Sequence, residues 1–193
     1  MNLPNKLTVL RLILTFVFLA VIPQAFAHAK SIALVVFSIA AFTDFLDGHL
    51  ARKHNLVTSF GKLMDPLADK VLMCAGFVML SELRLVPGWV VVLILAREFL
   101  VTGLRLVASA EGVVLAAEGL GKQKTIWQIV TAIYFLTYLA SSEPAFGWIR
   151  FLFDWKPTGP AIAGEILVWL SLALTLLSGL RYAWRNRELL RDC

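Results

Sequence analysis

The chain has 193 residues, of which 59% are hydrophobic and 16% are charged, and its formal net charge is +5. Soluble domains usually carry about 25% charged residues, so this composition indicates a membrane protein. The basic residues lie between apolar segments and form no continuous patch, which argues against nucleic-acid binding. At this length we expect one domain over residues 1–193.

The first apolar segment predicts a helix over residues 7–27. Lys6 and Arg11 lie at its start, and Ala25-Phe26-Ala27 near its end resembles the cleavage site of a secretory signal. Further apolar segments follow, and a chain that spans the membrane repeatedly needs no removable leader. We therefore expect this first helix to be retained.

Five more apolar segments follow, each close to the ~20 residues that cross the hydrocarbon core. Pro87-Gly88, Gly119 to Gly121 and Pro157 to Pro160 mark boundaries between them. No alternating strand pattern interrupts them, so the sequence predicts an all-α polytopic membrane protein with six transmembrane helices. The five further spans are predicted at 31–50, 66–83, 88–109, 125–142 and 162–183.

The distribution of basic residues predicts the orientation of these spans. With the amino terminus in the cytoplasm, 11 Lys and Arg residues fall in cytoplasmic segments and 4 fall outside. Cytoplasmic loops carry the excess of Lys and Arg in membrane proteins. Both termini are therefore predicted to be cytoplasmic.

Four aspartates lie where the second and third spans meet the cytoplasm. Asp44 and Asp47 are spaced i,i+3, and Asp65 and Asp69 are spaced i,i+4, so each pair lies on one face of a helix. A polar turn over residues 53–62 is predicted to bring the pairs together. Clustered carboxylates are unfavourable without a counter-charge, and hard divalent cations prefer oxygen ligands. The pattern favours a site for two metal ions of the kind that assists phosphoryl transfer.

Residues between the aspartates suit a phosphate-containing ligand. Gly48 allows a ligand to approach the backbone closely. Arg52 offers a fork of donors that fits phosphate or pyrophosphate.

The fourth span contains Arg97 and, eight residues later on the same helix face, Arg105. Ionisable groups within a span usually face a cavity or a partner. One interpretation is a site for an anionic substrate; the other is that Glu98 or an aspartate neutralises Arg97 for structural reasons. The loop before the fifth span carries Lys122 and Lys124 among glycines, and such a helix start can bind phosphate.

The aspartate motif resembles the signature of the CDP-alcohol phosphotransferase family. Eight specified positions over 26 residues match without departure, from Asp44 to Asp69. Asn5, Leu7, Thr8 and Arg11 also resemble an amino-terminal pattern of bacterial members. Residues 96–105 and 121–125 resemble the branch of the family that makes phosphatidylglycerophosphate.

This resemblance implies a reaction in which the phosphatidyl group of CDP-diacylglycerol passes to glycerol 3-phosphate, giving phosphatidylglycerophosphate and CMP. It implies two Mg²⁺ or Mn²⁺ ions, a homodimer among membrane lipids, and an active site facing the cytoplasm in the bacterial inner membrane. The implied roles are metal binding by Asp44, Asp47, Asp65 and Asp69, with Asp69 also as general base; nucleotide and pyrophosphate binding by Gly48, Ala51, Arg52, Thr8 and Arg11; and acceptor phosphate binding by Arg97, Arg105, Lys122 and Lys124.

Two kinds of alternative stay open. Within the family, the alternative acceptors are phosphatidylglycerol, serine and an inositol phosphate. The alternative that is not an enzyme is a divalent-cation carrier, with the acidic cluster as its ion path. A carrier is expected to place ionisable groups near mid-membrane along a route across it, whereas these groups gather at one face.

Overall fold

The computed structural model describes residues 3–54, 59–110, 119–154 and 159–186. Within these ranges, the side chains of residues 3–5, 44–54, 59–66, 69, 109–110, 119–120, 122 and 159–161 fall outside the description. The described residues form helices and turns without a strand, which confirms the all-α prediction. The helices are α1 Leu3–Val21, α2 Ala29–His54, α3 Ser59–Glu82, α4 Gly88–Ala110, α5 Gly119–Ala140 and α6 Gly159–Arg185, with a short 3₁₀ helix at Gly147–Leu152.

Three predicted boundaries were wrong. Helix α1 ends at Val21 and not near residue 27, because Pro23 cannot continue a helix and disfavours helical geometry in the residue before it. Both ends of the predicted turn over 53–62 are helical, since α2 runs to His54 and α3 begins at Ser59. The predicted loop at 119–125 forms the first turns of α5, where packing overrides the weak helix propensity of glycine.

The helices pack around a core of aromatic and aliphatic side chains. Helix α1 packs along α2 and α3, α5 packs between α2 and α6, and α4 packs mainly on α6. Phe18 of α1 and Phe37 of α2 are fully buried, with ring centroids 5.3 Å apart. The helix that carries Thr8 and Arg11 therefore lies against both helices that carry the aspartates.

A buried row of polar side chains joins α5 to α6, and we call it the α5–α6 ladder. It consists of Gln128, Thr131, Ser171 and Thr175. The Thr131 and Ser171 hydroxyls lie 2.8 Å apart, and the Gln128 amide donates to Thr175 Oγ1 at 3.0 Å. These neutral pairs fix the register of two antiparallel helices.

Glu143, just after α5, ties the far end of the bundle together. Its carboxylate accepts bonds of 2.8 Å from the backbone amides of Lys30 and Ser31, and one of 2.6 Å from the Ser31 hydroxyl. The carboxylate thereby caps the first turn of α2. Burial acts to raise the pKa of Glu143, but these hydrogen bonds and the nearby His28 outweigh it and lower the pKa.

Many large apolar side chains face outward. Phe16, Leu100 and Leu180 are 65%, 69% and 69% exposed, although the ladder inside is polar. By length and composition, one segment of the described residues suffices to cross a membrane: Ile162–Arg185, with mean hydropathy 1.8. A shorter apolar segment covers Ala29–Thr43. The other five predicted spans stay predictions.

Candidate active site

The four motif aspartates lie on two helices, as their spacing requires. Asp44 and Asp47 fall within α2, and Asp65 and Asp69 fall within α3. Helices α2 and α3 contact one another, and α1 packs on both. The side chains of the aspartates, and those of Gly48, Ala51 and Arg52, lie outside the described residues, so their clustering stays a prediction.

Thr8 and Arg11 of α1 are described, and they are predicted to bind the nucleotide and pyrophosphate together with the motif residues. Thr8 is fully buried and Arg11 is 1% exposed. Burial of a guanidinium is costly unless neighbouring groups compensate its charge. Because α1 packs on the two helices of the motif, an arginine buried on this helix is suitably placed to contribute to a site for anions.

Arg97 and Arg105 both point from α4 toward α6, on the shared face that their spacing predicted. Arg97 Nη2 donates to Ser178 Oγ at 2.9 Å. Arg105 Nε donates to the Tyr182 hydroxyl at 3.3 Å, and its guanidinium carbon lies 5.4 Å from the centre of the Tyr182 ring. An arginine near an aromatic ring gains cation–π attraction. Helix α6 therefore restrains both guanidinium groups.

A glycine of α6 permits this close approach. A Cβ atom built at Gly179 would lie 2.7 Å from Arg97 Cγ, nearer than van der Waals contact allows. Ser178, Gly179 and Tyr182 occupy one turn of α6, and none of them was predicted from the sequence. The available signal was small and polar residues near the end of an otherwise apolar span.

Glu98 joins α4 to α5. Its Oε1 atom lies 3.3 Å from Arg97 Nη1, and Lys124 Nζ pairs with the same oxygen. Lys124 is 5% exposed and belongs to a helix, so its predicted position in a loop was wrong. The Lys122 side chain lies outside the described residues. The structure thus contains the Arg97–Glu98 pair that one interpretation of the sequence required.

Three cationic side chains, one of them from α5, lie near one carboxylate, and we call them the α4–α6 cation cluster: Arg97, Arg105, Lys124 and Glu98. Glu98 pairs with Arg97 and Lys124, whereas Arg105 donates to the Tyr182 hydroxyl. Like charges held together in a partly buried site favour the binding of an anion. Arg105 is exposed and the other two cations are largely buried, so the Arg105 end is the accessible end of the cluster.

Comparison with known proteins identifies the class. The model of the CDP-alcohol phosphatidyltransferase family matches residues 1–177. The chain belongs to this family.

Individual relatives match along almost their whole length. A Bacillus subtilis strain 168 protein named CDP-diacylglycerol–glycerol-3-phosphate 3-phosphatidyltransferase is 37% identical over 202 residues, covering 98% of this chain and 97% of the relative. A Rickettsia felis protein of the same name is 37% identical, covering 94% and 93%. A Mycobacterium tuberculosis H37Rv protein named probable phosphatidylglycerophosphate synthase is 37% identical, covering 95% and 81%.

Proposed function

We propose that the protein transfers the phosphatidyl group of CDP-diacylglycerol to glycerol 3-phosphate, releasing CMP and phosphatidylglycerophosphate. The names of three relatives that match over most of their length support this reaction. The α4–α6 cation cluster is the observation that carries the choice of acceptor. A phosphate monoester bears a charge of about −1.5 to −2 at pH 7, and it suits a cluster that brings two arginines and a lysine together.

In the proposed reaction, a hydroxyl oxygen of glycerol 3-phosphate attacks the phosphorus that carries the diacylglycerol. The new P–O bond forms as the P–O bond to CMP breaks, and CMP leaves with the bonding electrons. The hydroxyl proton passes to Asp69. In-line transfer of this kind depends on positioning and on stabilisation of the developing charge.

Asp44, Asp47, Asp65 and Asp69 form a donor set of oxygen atoms only, which fits Mg²⁺ or Mn²⁺. When bound, two such ions neutralise the charge that develops on the leaving CMP. The proposal gives Gly48, Ala51, Arg52, Thr8 and Arg11 to the nucleotide and pyrophosphate. The burial of Thr8 and Arg11, on the helix that packs against α2 and α3, supports their part in it.

Arg97, Arg105, Lys122 and Lys124 are proposed to bind the phosphate of the acceptor. Arginine and lysine donors bind phosphate oxygens through charge-assisted hydrogen bonds. In this arrangement, Arg105 and Lys124 hold the phosphate while Glu98 keeps Arg97 and Lys124 from repelling each other. Serine would offer these side chains one carboxylate, balanced by its own ammonium group, in place of a phosphate with nearly two negative charges.

We further propose six transmembrane helices in one domain over residues 1–193, with both termini and the active site at the cytoplasmic face of a bacterial inner membrane. Many large apolar side chains on the outer surface support a lipid environment, because soluble monomers rarely expose large apolar patches. The excess of basic residues in the assigned cytoplasmic segments supports the orientation. Family resemblance supports a homodimer.

The test is CMP release by purified protein in detergent with CDP-diacylglycerol and Mg²⁺ or Mn²⁺. Glycerol 3-phosphate, serine, inositol phosphate and phosphatidylglycerol are offered in parallel, and we expect turnover with the first alone. Asp65→Ala is expected to abolish it, and Asp69→Asn to reduce it at least about 100-fold, as loss of a general base does. Turnover with another acceptor would keep the family chemistry and reject the acceptor site, and metal transport without CMP release would indicate a carrier.

A further inference from the structure

A cavity of about 630 Å³ lies at the opposite end of the bundle from the α4–α6 cation cluster. The turn between α3 and α4 forms one wall, with Arg84, Pro87 and Val90, and the first half of α6 forms the other, with Glu165 and Trp169. None of these residues takes part in the proposed reaction. The cavity therefore calls for its own explanation.

Arg84 holds a backbone conformation that glycine normally provides. Its φ is 58°, and it is the position after α3 at which the chain reverses. The Leu85 amide donates to the Leu80 carbonyl at 2.9 Å, and the Arg84 amide donates to the Ser81 carbonyl at 2.9 Å. These two bonds define a Schellman motif, whose left-handed residue is most often glycine. An arginine at this position carries a conformational cost, which points to a role for its side chain.

Glu165 gives the same cavity a negative charge. Among the described residues, no ion pair or side-chain hydrogen bond joins Arg84 or Glu165 to a partner. Both side chains are exposed. The cavity thus presents two separate charges of opposite sign to a ligand.

Two tryptophans adjoin these charges. Trp89 and Trp169 are 53% and 55% exposed, and their ring centroids lie 5.7 Å apart. Exposed apolar side chains, Val92 and Ile166, continue from them along α4 and α6. Tryptophan is enriched where lipid headgroups meet hydrocarbon. The surface thus combines a polar end with an apolar continuation, as a bound phospholipid would require.

We propose that this cavity binds the headgroup of a zwitterionic phospholipid that carries a phosphate and a primary ammonium group. Arg84 pairs with the phosphate, Glu165 pairs with the ammonium, and the acyl chains lie along Trp89, Trp169 and Ile166. The inference rests on the membrane orientation given under the proposed function, which puts this cavity in the outer leaflet. An anionic lipid lacks the group that matches Glu165, and a soluble zwitterion lacks the chains that cover the apolar surface.

The test is thermal unfolding of the full-length protein in detergent, with added phosphatidylethanolamine, phosphatidylglycerol or soluble phosphoethanolamine. We expect phosphatidylethanolamine at about ten times its dissociation constant to raise the unfolding midpoint by about 3–6 °C. The other two additives are expected to raise it by less than half as much. An equal shift of the unfolding midpoint with both lipids would mean that the surface binds them through apolar contacts alone, and would overturn the inference.

The Arg84→Gly variant separates a role of the side chain in lipid binding from a purely structural role. Glycine adopts the left-handed conformation without strain, so we expect the variant without lipid to unfold at a higher temperature than the wild type. The shift caused by phosphatidylethanolamine is expected to be lost. Arg150→Gln, which removes another exposed arginine from the same predicted face, should keep the shift. An Arg84→Gly protein that retains the full shift would refute the site.

Glu165→Gln tests the other charge. We expect it to remove the preference for phosphatidylethanolamine over phosphatidylglycerol while leaving the midpoint without lipid within about 1–2 °C. A midpoint that rises with protein concentration in the absence of lipid would show that a second copy of the chain covers the surface instead, and would overturn the inference. CMP release is measured in parallel, and full activity without any lipid preference would reject this site while the proposed function stands.

Discussion

Helix α6 has two polar contact regions, the α5–α6 ladder and the α4–α6 cation cluster, which we call its two seams. The seams differ in the groups that pair with their polar atoms. In the α5–α6 ladder, neutral hydroxyl and amide groups pair with one another, as Thr131 does with Ser171. In the α4–α6 cation cluster, by contrast, the guanidinium of Arg105 contacts the neutral hydroxyl and the ring of Tyr182. A neutral seam whose groups pair with one another stabilises the fold, whereas a seam that gathers several cations has the capacity to bind an anion.

Arg105→Ala should have the largest effect on this comparison. A hydrogen bond to a charged group contributes about 1.5–3 kcal/mol, so we expect the KM for glycerol 3-phosphate to rise about 10–100-fold. The KM for CDP-diacylglycerol should stay within about twofold. Steady-state CMP release measures both constants, with Arg150→Ala as the control for loss of an exposed arginine. Equal losses for both substrates would indicate a general structural role.

Two glycines of α6 allow the seams to be compared by the same substitution. A Cβ at Gly179 would meet Arg97 of α4 at 2.7 Å, and a Cβ at Gly164 would meet Phe135 of α5 at 2.6 Å. Gly179→Ala displaces a guanidinium, so we expect the KM for glycerol 3-phosphate to rise about 5–10-fold, as a shift of a positioned group does.

Gly164→Ala overpacks an apolar contact and should cost about 1–3 kcal/mol of stability without changing that KM. Thermal unfolding and CMP release on the two variants separate the effects. If Gly179→Ala leaves the KM unchanged while Arg105→Ala raises it, the acceptor site is supported, but the proposal that Gly179 positions Arg97 is wrong. If neither variant raises it, the acceptor site is wrong.

Ser171→Ala removes one hydroxyl of the α5–α6 ladder. Thr131 keeps its 2.7 Å bond to the Trp127 carbonyl, so we expect a loss of about 0.5–1.5 kcal/mol in the free energy of unfolding. Both KM values should remain unchanged. Denaturant unfolding gives the free energy, and an altered KM for the acceptor would show that the two seams are not independent.

Glu143→Gln should have the smallest effect, and it extends the comparison to a second carboxylate. Glu98 pairs with cations, whereas Glu143 is held by hydrogen bonds to Ser31 and to backbone amides. Because the folded-state pKa of Glu143 is lowered, its stabilisation is present above the unfolded pKa and is lost as the pH falls through the folded pKa.

The difference in unfolding midpoint between wild type and Glu143→Gln should therefore be greatest near pH 7 and shrink below about pH 4. Thermal unfolding at a series of pH values measures it. A difference that is constant over this range would mean that the carboxylate charge at Glu143 does not stabilise the fold.

Much of the helical framework was predictable from the sequence. The errors in the predicted helix boundaries have local causes. All six helices were predicted, because long apolar runs separated by Pro and Gly produce a strong signal. The predicted end of α1 near residue 27 was wrong, because the apolar run continues beyond Pro23 whereas the helix ends at Val21. The predicted start of α5 at residue 125 was wrong, because the glycines suggested a loop whereas the helix begins at Gly119 and packs on α2 and α6.

The candidate site divides in the same way. The common face of Arg97 and Arg105 followed from their separation by eight residues on one helix. The contacts that hold them did not, because Ser178 and Tyr182 lie 81 and 77 positions away along the chain. The aspartate spacing led to the family, and the match over residues 1–177 confirmed it.

The sequence by itself determined the helical class, the family and the faces on which charged residues lie, since these depend on composition and on spacing within one helix. Tertiary structure decided that Glu98 joins Arg97 to Lys124, that Gly179 admits Arg97 and that Arg84 shares a cavity with Glu165. The physical reason is that spacing sets direction around a single helix axis. Which side chains meet between helices depends on how the helices pack, and no local pattern in the chain encodes that contact.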